Sequence, residues 1–117
     1  MKVIIAGSRS ITSYRLAEEA VAASGFEITE VVSGTARGVD RLGELWAARH
    51  GVPVTRFPAD WGAYGKQAGF VRNADMAEYA DALVALWDGG SRGTQHMINL
   101  ARGAGLKVHV VTAEVEG

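Results

Sequence analysis

The stretch Ala82-Leu-Val-Ala-Leu-Trp87, followed directly by Asp88-Gly-Gly-Ser-Arg-Gly-Thr94, decides how this 117-residue chain is expected to fold. The apolar half predicts a buried strand, and helical periodicity then runs from Thr94 to about Arg102. A strand, a glycine turn and a helix start direct backbone N–H groups and the positive end of a helix dipole at one point. Glycine has no Cβ to keep a phosphate away from that backbone. The sequence therefore predicts an anion-binding turn at 88–94.

Outward from this stretch, strands and helices alternate along the chain. Apolar runs predict strands at 2–6, 27–33, 52–57, 82–87 and 107–112, and apolar stripes predict helices at about 13–24, 39–50, 72–79 and 94–102. Thr12 or Ser13 is expected to cap the first helix. Residues 58–71 lack periodicity, which is typical of a functional or mobile loop. Whether this loop closes over a site stays open.

This alternation predicts an α/β fold with a five-stranded parallel sheet and helices on both faces. Right-handed crossovers favour the strand order 3-2-1-4-5. In that order the winding direction reverses between strands 1 and 4, and ligands bind outside the carboxyl ends of strands at such a switch point. The loops beginning at Gly7 and Asp88 flank it, and the loop beginning at Gly34 lies one strand away. We therefore expect three glycine-bearing loops to converge on one crevice.

The composition narrows the class of protein. With 48% hydrophobic and 21% charged residues, the chain is expected to form one globular domain over residues 1–117. It contains no cysteine, which excludes disulfides and thiolate chemistry. The first apolar run is too short for a signal peptide or a membrane span, so a cytoplasmic protein without membrane contact is expected. A net charge of -1 and a pI of about 6.3 argue against broad nucleic-acid binding.

Positive charge is concentrated in arginine, with nine Arg against three Lys. Four of the arginines lie in or beside the glycine-bearing loops: Arg9, Arg37, Arg72 and Arg92. Arginine suits forked hydrogen bonds to phosphate or carboxylate, although an ordinary surface role is the alternative for any one of them. The same loops carry hydroxyl groups at Ser8, Thr35, Ser91 and Thr94.

Carboxylates and aromatic rings supply further candidates. Asp40, Asp60 and Asp88 are the carboxylates best placed to contact a ribose or act as a base. Asp40 also suits the first turn of its helix, where a negative charge is favourable. Trp61 and Tyr64 either stack on a base or pack in the core.

Several known signatures are absent. There is no P-loop, no G-x-G-x-x-G after the first strand and no G-x-S-x-G nucleophile elbow. The second predicted strand ends in Ser33, where a dinucleotide fold usually places an acid. His50, His96 and His109 lack metal-ligand spacing, and a packing or surface role is favoured for His96. No metal and no cofactor are predicted.

The motifs taken together resemble the SLOG superfamily, most closely its YspA-type (YpsA-related) branch. The matching segments are Ala6-Gly-Ser-Arg9, Ser33-Gly-Thr-Ala-Arg-Gly-Val-Asp40-Arg41, Pro58-Ala-Asp-Trp61, Tyr64-Gly-Lys-Gln-Ala-Gly69, Arg72-Asn73 with Met76, and the turn at 88–94. The resemblance implies a Rossmann-like fold that binds a nucleotide or a nucleotide-derived ligand.

Two more distant groups are also similar. Lonely Guy phosphoribohydrolases, which cleave the N-glycosidic bond of nucleoside monophosphates, carry an Arg that Arg72 matches. Here the turn has an extra residue between Gly90 and Gly93, and Met97 stands at the position of their catalytic Glu. The Rossmann-like domain of DNA-processing protein A also has a G-S-R turn and binds single-stranded DNA. The acidic pI and the absence of Lys clusters make that activity unattractive here.

The favoured function is therefore binding of a nucleoside monophosphate, ADP-ribose or a related molecule. The expected ligand-binding residues are Gly7, Ser8, Arg9, Gly34, Thr35, Ala36, Arg37, Gly38, Arg72, Asn73, Asp88, Gly89, Gly90, Ser91, Arg92, Gly93 and Thr94. The alternative is an N-glycosidase, for which the candidate catalytic residues are Arg72, Asp40 and Asp88. The resemblance makes a homodimer plausible, and a nucleic-acid partner is not expected.

Overall fold

Parallel pairing of apolar strands forms one five-stranded sheet in the computed structural model, which describes residues 1–113. The strands are β1 (Lys2–Gly7), β2 (Glu30–Ser33), β3 (Val54–Arg56), β4 (Ala82–Trp87) and β5 (Lys107–Thr112). Their order is β3-β2-β1-β4-β5, and all the pairings are parallel. The predicted α/β class and strand order are confirmed. Residues 114–117, the end of the predicted domain, lie outside the described residues.

Helices cover both faces of this sheet. They are α1 (Tyr14–Ser24), α2 (Val39–His50), α3 (Trp61–Tyr64), α4 (Ala68–Tyr79) and α5 (Arg92–Gly103), with a 3₁₀ turn at Gly65–Gln67 between α3 and α4. Helices α1 and α2 pack on one face against alternate residues of the central strands, among them Val3, Ile5, Val84 and Leu86. Helices α4 and α5 pack on the other face against the intervening residues. Burial on both sides explains why β1 and β4 are almost continuously apolar.

Two strands are shorter than the sequence pattern predicts. Strand β2 begins at Glu30 and not at 27, because its partner β1 begins at Lys2, which pairs with Glu30. Phe26 and Ile28 pack against the core without pairing in the sheet, which gives this segment its strand-like pattern. Strand β3 covers Val54–Arg56 and not 52–57, since only those residues pair with β2 at this edge of the sheet.

Residues 58–71 are mostly helical, so the predicted loop is wrong there. Asp60 caps α3, and its carboxylate accepts the N–H of Ala63 at 3.0 Å. Every residue of 61–67 is exposed, so this segment has no apolar stripe from which a helical period can be recognised. Helix α4 begins at Ala68, which is buried, four residues before the expected start.

Serine side chains cap two of the helices. Ser13 accepts the N–H of Leu16 at 3.4 Å and caps α1, which selects it over Thr12. Ser91 caps α5, which therefore begins at Arg92, slightly before the predicted start at Thr94. Within residues 1–113, none of the helices has the length and apolar character needed to cross a membrane.

Candidate functional site

Ser8 joins the loop after β1 to the loop after β4. Its backbone N–H donates to the carbonyl of Leu86 at 3.0 Å, and its hydroxyl oxygen accepts the N–H of Asp88 at 3.0 Å. The side chain is only 1% exposed, so both bonds are shielded from water. Ser8 therefore fixes the two loops that flank the switch point against each other.

Gly38 brings the loop after β2 to the same place. A Cβ at this position would lie 2.6 Å from the carbonyl oxygen of Ser8 and 2.7 Å from Cα of Arg9. Its φ of 77° is also in the region that favours glycine. The three loops that the topology predicts at this edge are thus in contact at the carboxyl ends of β1, β2 and β4.

The turn at 88–94 is organised around the carboxylate of Asp88. One oxygen accepts the N–H groups of Gly90 and Ser91, both at 2.8 Å, and the other accepts the hydroxyl of Ser10 at 3.1 Å. The bonds from Gly90 and Ser91 are the main reason that the pKa of Asp88 lies below its usual value. Two of the N–H groups expected to bind a ligand anion therefore already bind an anion that belongs to the chain.

The start of α5 is held by hydroxyl groups. Ser91 Oγ accepts the N–H of Thr94 at 3.4 Å and lies 3.0 Å from Thr94 Oγ1. The indole N–H of Trp87 donates to the carbonyl of Ser91 at 3.0 Å. These contacts satisfy part of the hydrogen-bonding need of the first helical turn and fix its position beside β4.

The loop after β2 is also held by its own side chains. Ser33 donates to Glu44 at 2.6 Å, and its oxygen accepts the N–H of Thr35 at 3.1 Å. The N–H of Ala36 donates to Asp40 at 3.0 Å. Thr35 has a φ of 63°, which is uncommon for a β-branched residue and indicates that the loop holds it in a strained conformation.

Asp40 and Arg72 both lie close to Gly34. A Cβ on Gly34 would be 2.8 Å from both Asp40 Oδ2 and Arg72 Nη1. The guanidinium of Arg72 donates through Nη1 to the carbonyl of Gly34 and through Nε to Asn73 Oδ1, the latter at 3.0 Å. The absence of a Cβ at Gly34 therefore lets both side chains approach this loop, Arg72 at the carbonyl of Gly34 and Asp40 at the N–H of Ala36.

Burial decides the protonation of Asp40. The residue is 5% exposed, and burial raises the pKa of its carboxyl to about 6. The hydrogen bond from Ala36 and the charges of Arg72 and Arg9 lower this pKa, but their combined effect is smaller than that of burial. A carboxyl with a pKa near neutrality in a cleft is able to exchange a proton with a ligand.

Arg9 and Arg72 place two positive charges at one cleft without forming an ion pair among the described residues. Burial is the main cause that lowers the pKa of Arg72, the charge of Asp40 raises this pKa, and the charge of Arg9 lowers it. The ion pairs within residues 1–113 are Arg15–Glu19 and Arg56–Glu44, so neither Arg9 nor Arg72 belongs to one. Both side chains line the same cleft.

This cleft has a volume of about 470 Å³, within the range of small-molecule sites. The expected ligand-binding residues that line it are Gly7, Arg9, Ala36, Arg72, Asn73, Asp88, Ser91, Gly93 and Thr94, together with Asp40. The expected residues outside its lining are Ser8, Gly34, Thr35, Arg37, Gly38, Gly89, Gly90 and Arg92. Ser8, Gly34 and Gly38 lie behind the lining and shape it through the contacts described above.

Sequence reasoning missed part of the lining. The unexpected residues are Ala6, Ser10, Lys66, Gly69 and Phe70, and the lining also contains Met76 and Met97. The spacing of Lys66, Phe70, Asn73 and Met76 is three or four residues, the interval of one helical face. That signal would have identified the wall of the cleft if 61–79 had been interpreted as helical.

Asn73 connects α4 to the start of α5. Its amide nitrogen donates to the carbonyl of Gly93 at 3.3 Å and lies 3.2 Å from Nδ1 of His96. Burial lowers the pKa of His96, which favours the neutral ring whose Nδ1 accepts this bond. Within residues 1–113, no group of three or more His, Asp or Glu side chains is placed to hold a metal ion.

Comparison with known proteins identifies the family of this chain and a relative of known sequence. The family model described as "YspA, cpYpsA-related SLOG family" matches residues 1–64, which include the loops after β1 and β2 and reach the end of α3. The Gene 61 protein of Mycobacterium phage D29 is 40% identical, over 67% of this chain and 67% of that protein. No solved structure matches the chain.

Proposed function

Since this chain belongs to the YspA, cpYpsA-related SLOG family, we propose that it binds a nucleotide or a nucleotide-derived ligand, such as a nucleoside monophosphate or ADP-ribose. Family membership suggests a nucleotide-related ligand in general terms. The proposal adds the place of binding, which is the cleft at the carboxyl ends of β1 and β4. It also assigns the phosphate and the ribose to particular residues of that cleft.

The observation that carries the proposal is the pair Arg9 and Arg72. They come from different parts of the chain and line one cleft, and neither forms an ion pair within residues 1–113. The cleft lining carries three positive side chains, Arg9, Lys66 and Arg72, against the two carboxyl groups of Asp40 and Asp88. A phosphate between the two guanidinium groups balances this charge and offers the oxygen geometry that arginine binds in a fork.

Asp40 is the proposed ribose contact. Its Oδ2 accepts the N–H of Ala36, and a carboxylate has capacity for further hydrogen bonds from hydroxyl groups. The turn at 88–94 then has a different role from the anion binding expected from the sequence. Because Asp88 holds the N–H groups of Gly90 and Ser91, the turn positions the wall of the cleft, and the phosphate is bound mainly by arginine.

A ligand screen by thermal denaturation tests this proposal. A nucleoside monophosphate or ADP-ribose at 100 times its Kd should add about 2.7 kcal/mol to the free energy of unfolding. Arg9→Gln and Arg72→Gln should each weaken binding by roughly tenfold or more, because each removes charge-assisted hydrogen bonds. Arg102→Gln, at the far end of α5, is the matched control and should leave binding unchanged. No stabilisation by any phosphate-bearing nucleotide would reject the proposal.

Asp40 also favours a second candidate function, hydrolysis of the N-glycosidic bond of a nucleoside monophosphate. A carboxyl with a pKa of about 6 is suited to take a proton from water. The water oxygen would then bond to C1′, the C1′–N bond would break, and the base would leave with a proton to give ribose 5-phosphate. Met97, at the position of the catalytic Glu in Lonely Guy phosphoribohydrolases, lines the cleft without any such capacity.

Chromatography of nucleoside monophosphates incubated with the protein distinguishes the two functions. The hydrolase predicts equal amounts of free base and ribose 5-phosphate, and the loss of both with Asp40→Asn. If nucleotides bind but no base is released over many hours, the chain acts as a binding domain and Asp40 is only a contact.

A further inference from the structure

We propose that Trp61 and Phe70 form a subsite for a flat aromatic base, so that the ligand of this cleft is a nucleotide and not a sugar phosphate alone. This inference rests on the proposed function. It adds the residues that would make the cleft specific for a nucleotide over a sugar phosphate. The proposed phosphate and ribose contacts do not recognise the base. This inference assigns that role to the aromatic side chains of the cleft.

Large aromatic surface is exposed at the mouth of the cleft. Trp61 is 55% exposed and Phe70 is 40% exposed, yet both line the cleft. The neighbouring Tyr64 is 52% exposed but lies outside the lining. Exposed apolar rings that gather at a concave site indicate a ligand that covers them.

The two rings are positioned separately and do not cover each other. Phe70 packs edge-on against His96, with ring centroids 4.5 Å apart and an interplanar angle of 62°. His96 is in turn held by Asn73, so the orientation of Phe70 is fixed by the contact between α4 and α5. Among the aromatic pairs within residues 1–113, none joins Trp61 to Phe70.

Gly69 leaves space beside Trp61. A Cβ on Gly69 would lie 3.8 Å from the edge of the Trp61 ring and 3.9 Å from Arg72 Nη2. Trp61 and the guanidinium of Arg72 are therefore on the same side of this part of α4. When the phosphate of a nucleotide contacts Arg72, the rest of that nucleotide therefore lies close to Trp61.

The cleft lining also contains two buried apolar side chains. Met76 and Met97 are almost fully buried and line the cleft. Their thioether groups make favourable contacts with aromatic rings and offer no charge to a second phosphate. The charged lining residues are Arg9, Asp40, Lys66, Arg72 and Asp88. The lining therefore provides both anion-binding and apolar contacts, which a nucleotide needs and a sugar phosphate does not.

Calorimetric titration with the four ribonucleoside 5′-monophosphates and with ribose 5-phosphate tests the subsite. The wild-type protein should bind at least one nucleotide more tightly than ribose 5-phosphate. Trp61→Ala and Phe70→Ala should each lower the affinity for that nucleotide by roughly 5- to 100-fold. This is the usual effect of removing one stacking partner of a base. Affinity for ribose 5-phosphate should change less than twofold.

Tyr64→Ala is the matched control, because it removes an equally exposed ring from the same short helix outside the lining. It should leave both affinities unchanged, and Phe70→Tyr should retain nucleotide binding. Equal affinity of the wild type for nucleotides and ribose 5-phosphate, or equal weakening of both by Trp61→Ala and Phe70→Ala, would overturn the subsite while leaving the phosphate site in place. Failure of every probe to bind would reject the proposed function itself.

Discussion

At the scale of single residues, Asp40 shows how burial converts a common side chain into a pH-sensitive one. Burial raises the pKa of its carboxyl from 3.8 to about 6. The folded protein therefore holds a proton that the unfolded chain releases between these two values. Its contribution to stability is complete below about pH 4 and is lost as the pH rises through about 6.

Asp40→Asn is expected to change this dependence in a defined direction. The amide stays neutral and can still accept the N–H of Ala36, so the variant avoids the cost of a buried charge at high pH. A shift of about two pKa units corresponds to about 3 kcal/mol, by which the variant should gain relative to the wild type between pH 4 and pH 8. Urea denaturation at both pH values measures it. A difference between the two proteins that is independent of pH would contradict the assignment.

Gly34→Ala tests whether the site needs Asp40 and Arg72 close together beside Gly34. Gly34→Ala places a methyl group 2.8 Å from both side chains, so they must move apart. We expect a loss of about 1–3 kcal/mol in the free energy of unfolding and a weaker affinity for nucleotides. Gly103→Ala is the control, since nothing lies within 4 Å of a Cβ at that position. Unchanged affinity in Gly34→Ala would show that the site tolerates displacement of Arg72.

At the scale of elements, the turn at 88–94 combines two opposing properties. It has the glycines and the helix start expected of an anion site, yet its own Asp88 accepts the N–H groups of Gly90 and Ser91. This negative charge stands on the lining of a cleft that we propose binds an anion. The carboxylate of Asp88 therefore stabilises the turn and at the same time repels an anionic ligand.

Asp88→Asn separates these two effects. The amide oxygen can still accept the two N–H groups, while the negative charge is removed. Affinity for a nucleotide should rise by about two- to fivefold at low salt, as expected for loss of one exposed like charge near the ligand. Asp88→Ala, which also removes the acceptor, should lower stability and affinity together. If Asp88→Asn abolished binding as Asp88→Ala does, the carboxylate itself would be a ligand contact.

Elements with an apolar stripe could be predicted from the sequence, and elements without one could not. Strand β4 and helix α2 were assigned within a residue of their observed ends, because burial imposes a period that the sequence displays. Helix α3 was missed because its four residues are all exposed and its main determinant is the Asp60 cap. Since Lys66 lies in the 3₁₀ turn and Phe70 in the first turn of α4, interpreting 58–71 as a loop leaves both residues out of the expected site.

At the scale of the whole molecule, topology places the site. The strand order puts the carboxyl ends of β1 and β4 beside each other and sends helices to opposite faces, so a crevice opens between them. That consequence followed from the sequence, because right-handed crossovers leave few alternatives. The hydrogen-bond partner of each polar group could not be predicted from the sequence, because contacts such as Ser8 with Asp88 join residues 80 positions apart. A homodimer and a cytoplasmic location stay predictions.

The most direct test of the central claim is a titration of the isotope-labelled protein with a nucleoside monophosphate, followed through its backbone amide NMR signals. The account predicts saturable shifts at the carboxyl edge of the sheet, at Arg9, Arg72 and Thr94. It predicts no shifts at Gly25 and Gly51, which end α1 and α2 at the opposite edge. Shifts confined to the opposite edge, or no saturable shift with any of the four nucleotides, would contradict it.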